Sequence, residues 1–82
     1  MAACKEDIRR WLNNGIKNGA THVIVVCDTY DHRDYPVYIK PSQSVNEKVT
    51  FYQSVSMQRV MEVYNLSVDI EAQLNQVRAW NL

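Results

Sequence analysis

Glycine and proline are scarce in this 82-residue chain, two of each, as are cysteine (two) and phenylalanine (one). There is no low-complexity tract, linker or internal repeat. Cys4 and Cys27 form no C-x-x-C or zinc-ribbon spacing, which argues against a structural metal motif. Charge of one sign is missing too: nine Lys plus Arg balance nine Asp plus Glu, for a net charge of zero. A chain that coats nucleic acid or anionic membrane needs a positive surplus, so neither is expected as a partner. The longest strongly apolar run, Val23-Ile24-Val25-Val26-Cys27, is far too short to span a bilayer. The first seven residues contain no apolar signal core. The expected setting is the cytoplasm, with both thiols reduced.

What is present is a globular composition, 46 % hydrophobic and 22 % charged, in a length that suits one small domain spanning residues 1–82. A chain this short buries only about 60–65 % of its unfolded surface, so its core is marginal unless something adds to it.

Apolar residues at Cys4, Ile8, Trp11, Leu12 and Ile16 recur at helical spacing and predict a helix from Ala3 to Lys17. Gly15 and Gly19, with Asn14 and Asn18, read as its stop signals. Thr21–Thr29 reads as a strand, and its unbroken β-branched run calls for cover on both faces. Pro36–Pro41 reads as a second strand framed by prolines, with Tyr30–Tyr35 as a wide hairpin loop. Ser44-Val45-Asn46-Glu47 has the form of a capping box. It favours a helix through Val49 and Tyr52, although the alternation Val49, Phe51, Val55 also fits a strand. Met57, Val60, Met61 and Tyr64 suggest a further helix capped by Ser56. Ile70, Leu74 and Val77 suggest a last one capped by Ser67. The expected fold is α+β: an N-terminal helix, a two-stranded antiparallel hairpin and two or three C-terminal helices in one layer. A doubly covered strand with one evident neighbour points to extension across subunits, and hence to a homo-oligomer. Trp11 and Trp80 are expected to pack between terminal helices or across that interface.

The densest polar cluster is Cys27 to Tyr35. From it Asp28, Tyr30, His32, Arg33 and Tyr35 are the candidate ligand-binding residues. Arg33 and His32 suit phosphate oxygens, a Tyr ring suits a base, and Asp28 suits ribose hydroxyls. As a plain hairpin loop, the same residues would serve turns and edge packing. His22, Cys27, His32 and the Asp residues match neither a zinc nor a calcium pattern, so no metal or cofactor is expected. Cys27 ends an apolar run and reads as a core thiol, not a nucleophile. With no hydrolase, P-loop or dinucleotide motif, there is no catalytic residue to nominate. Arg59 and Arg78 are the next cations to consider if the hairpin does not bind.

Gly19 to Thr29, Asp34 to Tyr38, Met57 to Tyr64 and Asp69 to Leu74 resemble small proteins encoded by bacteriophages and prophages. That resemblance covers most of the chain from Trp11 onward. By analogy of class it implies an anti-defence sponge, an oligomer that sequesters a nucleotide immune signal, such as a cyclic dinucleotide or an ADP-ribose derivative, without cleaving it. The alternative from another class is a protein–protein module that inhibits a host enzyme through an aromatic and Met surface. A small hydrolase trails both.

Overall fold

Helix α1 (Lys5–Lys17) opens the described chain, and its expected start at Ala3 lies outside the described residues. The computed structural model describes residues 4–82. Strands β1 (His22–Asp28) and β2 (Arg33–Ile39) follow, then α2 (Val45–Ser54), β3 (Gln58–Asn65) and the short α3 (Ile70–Leu74). The sheet has three strands in the order β2-β1-β3, with β1 antiparallel to both neighbours. The α+β class and the N-terminal helix are as the sequence implies. The sheet and the layering are not.

Val23 and Val25 point to one face of the sheet, where they pack with Ile8 and Leu12 of α1, Leu74 of α3 and Ala79. Ile24 and Val26 point to the other, against Val49 of α2 and Val60, Val63 and Ile39 of the flanking strands. Helices therefore cover both faces instead of forming one layer. Four consecutive apolar residues of β1 are buried, which an alternating half-exposed strand could not accommodate. The cover expected from a second subunit is supplied by β3 and α2 of the same chain.

β3 corrects the expected helix of Met57, Val60, Met61 and Tyr64, and its cause is a β-bulge. The pairing jumps from Val25↔Glu62 to Val26↔Val60, leaving Met61 as the extra residue. Without the bulge, Val60 and Val63 would face opposite sides of the sheet. With it, both enter the α2-side core. A three-residue spacing on one face imitates helical periodicity. The adjacent Tyr64 faces the other core, so the strand is buried on both sides.

The other boundaries follow from local chemistry. Ser44 accepts the Glu47 N–H at 3.3 Å, the expected cap of α2. Asp69, not Ser67, caps α3, accepting from the N–H groups of Glu71 and Ala72 at 3.0 and 3.2 Å. Ser67 instead donates its N–H and hydroxyl to the Asn65 side chain. The helix ends at Leu74 with Asn75 as its C-cap, so Val77 lies outside it and is fully exposed. Buried Gln73 fastens this region: it accepts from the Asn65 N–H and donates to the Asn65 carbonyl, both at 2.8 Å. The tail then runs beside β3. Val63 donates to the Ala79 carbonyl and accepts from the Asn81 N–H, which places Trp80 on that edge rather than between terminal helices. Trp11 is half-buried against the α1-side core. Pro36 lies inside β2, not at its border; β2 is a sheet edge, where a missing donor is tolerated.

Gly19 (φ 76°) is the helix stop, but Gly15 serves another purpose. It is buried in α1, and a Cβ there would lie 2.9 Å from Leu66, 3.0 Å from Val23 and 3.3 Å from Tyr38. Helix propensity alone would make Gly15→Ala stabilising by about 1 kcal/mol. Overpacking against the sheet reverses the sign, and a net loss of about 1–2 kcal/mol is expected in urea unfolding. A raised midpoint would contradict this close approach.

Candidate functional site

The hairpin between β1 and β2 is tighter than the sequence implied. Asp28 and Arg33 are paired across the strands, and only residues 29–32 form the turn. The five candidate residues therefore divide. Tyr30 and His32 lie in the turn, Asp28 ends β1, and Arg33 and Tyr35 belong to β2.

Asp28 is engaged locally. Its carboxylate accepts the Tyr30 N–H at 2.9 Å and the Asp31 N–H at 3.4 Å, an Asx-type turn that folds the chain back. Tyr35 is half-buried on the α2 side, and its hydroxyl donates to the Gln58 side chain of β3. Burial raises its phenol above the ordinary value, with added contributions from Tyr52 and Asp28. These two residues hold the hairpin in shape. Tyr30, His32 and Arg33 are the members exposed to solvent, Tyr30 by 75 %.

Sequence reasoning missed that β3 begins beside this turn. The Thr29 N–H donates to the Met57 carbonyl at 2.9 Å, joining the hairpin to the α2–β3 connection. Met57 is 48 % exposed and takes φ 68°, while His32 takes φ 56°. Among the described residues these are the two non-glycine positions with left-handed backbone, and both lie at this end of the sheet. Such conformations cost roughly 1–3 kcal/mol each and persist where the surroundings impose them. No motif in the sequence announces either position.

Cys27 lies on the α1-side face, with Asp34 as its neighbour on β2 and Arg59 on β3. Burial raises its thiol above the ordinary value, and a hydrogen bond to Asp34 and that residue's charge raise it further. A carboxylate partner retains the proton instead of removing it, the opposite of nucleophile activation. Among the described residues no three His, Cys, Asp or Glu side chains are placed to hold a metal ion. No helix there is long and apolar enough to cross a membrane.

Among the described residues, clefts lined by none of the five candidates lie elsewhere on the surface. One, of about 320 Å³, lies at the far end of the sheet, beside Ile16, Thr21, His22 and Leu66. The Thr21 hydroxyl donates to the Ile39 carbonyl at 3.2 Å and so accepts from His22 Nδ1 at 2.9 Å. His22 Nε2 is buried and has no hydrogen-bond partner among the described residues. The second, about 260 Å³, is lined by Arg59, Met61, Glu62, Val77 and Arg78. The third, about 280 Å³, is lined by Glu47, Lys48 and Phe51 on the outside of α2.

No family model, curated protein or solved structure matches this chain.

The geometry makes a direct claim about the two thiols. Cys4 is exposed and Cys27 half-buried with a raised value. At pH 8, iodoacetamide is expected to modify Cys4 at least about tenfold faster than Cys27. Equal native rates, measured by peptide mass spectrometry, would contradict the protected thiol and reopen a catalytic reading.

Proposed function

We propose that the protein acts by binding, not by catalysis, and that the hairpin end of the sheet is its contact surface for a protein partner. The observation that carries this reading is the exposure of Tyr30 and Met57 on two turns whose backbones are joined and held in left-handed conformations. Tyr, Met and Arg are the side chains enriched where proteins meet, and Arg33 and Arg59 flank this end. A convex tip lets these anchors enter a partner's groove, and a rigid turn reduces the entropy lost on binding. In the setting that the resemblance to phage proteins implies, the partner is a host enzyme. The aromatic and Met surface is thus redrawn around Met57 and Tyr30, since Tyr64 is buried and Met61 half-buried.

Sequestration of a nucleotide signal is the second reading. A nucleotide is ordinarily enclosed in a concave site. What favours this reading is a different feature, the two arginines that share the 260 Å³ cleft.

Affinity capture from the matching host with wild type and Tyr30→Ala at equal thermal stability separates the readings. The expected result is one stoichiometric protein retained by wild type and reduced at least about tenfold by Tyr30→Ala, the weight of a lost interface anchor. A nucleotide released on heating, in equal amount from both forms and with no protein partner, would overturn the hairpin reading in favour of sequestration.

A further inference from the structure

We infer that the cleft beside the β3 bulge is a binding site for the phosphate group of a small phosphate ester, with Arg78 and Arg59 as its donors. The bulge creates the geometry. Displacement of Met61 leaves the Val60 and Met61 carbonyls to be met by Arg78, whose Nη2 and Nε donate to them at 3.1 and 2.8 Å. One face of the guanidinium lies over the Trp80 ring, 4.5 Å from its centroid. A surface arginine is ordinarily mobile, but this one is held at its edge and on its face. A guanidinium carries five N–H donors, and two are engaged here, so three remain on a residue that lines the cleft.

Arg59 enters the same cleft from β3 and is exposed, and its guanidinium has no hydrogen bond or ion pair among the described residues. Among the described residues neither guanidinium has a carboxylate within 4 Å; the ion pairs found are Arg9–Glu71 and Arg10–Asp7, outside this cleft. Glu62 is the one acid in the lining. Its Oε2 accepts from the Tyr64 hydroxyl at 2.9 Å and the Ala79 N–H at 3.3 Å. Two cations against one anion give the cleft one net positive charge.

The donor count selects the ligand. A carboxylate carries one charge on two oxygens and is served by one guanidinium fork, whereas a phosphate monoester carries up to two charges on three free oxygens and can engage both guanidiniums at once. Met61 and Val77 supply apolar surface for the esterified group. The cleft shares Arg59 with the flank of the hairpin contact, but Arg78, its fixed donor, lies outside that contact.

The test is a ¹H–¹⁵N titration of the intact protein with phenyl phosphate, with benzoate and sodium chloride at matched ionic strength as parallel arms. The expected result is saturable shifts at the Arg78 Nε–H and the Val77–Trp80 amides, with a Kd of about 1 mM or tighter. Benzoate should bind more weakly. Arg59→Gln should weaken phenyl phosphate about tenfold, while Tyr30→Ala leaves it unchanged. Arg78→Lys, which keeps the charge and loses the fork, should weaken it as well. Should that variant not fold, Arg59→Gln decides alone. Shifts that do not saturate, that chloride reproduces, that benzoate exceeds, or that Arg59→Gln leaves intact would overturn the proposal.

Discussion

Everything in this structure depends on the covering of one strand. Val23, Ile24, Val25 and Val26 are almost wholly excluded from water, so β1 needs apolar partners on both faces and hydrogen-bonding neighbours on both edges. β2 and β3 meet the edge requirement, α1 and α3 cover one face, and α2 covers the other. Each face contributes its own core, which is how so short a chain buries two layers of side chains. The free edge of β3 is in turn covered by the tail through Val63. The other outer edge, β2, carries Pro36, whose missing N–H makes it a poor template for another strand.

Some of this was legible in the sequence. The apolar spacing of Ile8, Leu12 and Ile16 gave α1, and the Ser44–Glu47 cap gave α2. The β-branched run gave a strand buried on both faces. What was lost has specific causes. The bulge at Met61 converts a strand's two-residue repeat into the three-residue spacing between Val60 and Val63, so β3 read as a helix. Without β3, the cover for β1 had to be sought in another subunit. Gly15 looked like a stop because glycine often is one; only packing against Leu66 and Val23 shows why a side chain is excluded.

The candidate site divides along the same line. The sequence pointed to the hairpin because its polar residues are contiguous there, and contiguity says nothing of which ones fold the turn. Asp28 and Tyr35 hold the local structure, through the Asx-type turn and the bond to Gln58. Tyr30 and Arg33 remain exposed. Met57 reaches this end from a segment distant in sequence, through a backbone bond to Thr29. The Arg59–Arg78 cleft is equally non-local. Its parts come from β3 and the tail, joined by carbonyls that the bulge exposes.

Native-state hydrogen exchange of β1 is the most direct measurement of the central claim, that this chain covers its own buried strand. The account predicts that the Ile24 to Val26 amides are the slowest to exchange, since they open only with global unfolding. Their rates should be the same at 10 µM and 1 mM protein (on the order of a hundredfold range, enough to reveal subunit dissociation by mass action). Protection of β1 that falls on dilution, or that never exceeds that of the hairpin turn, would contradict it and return the cover of this strand to a second subunit.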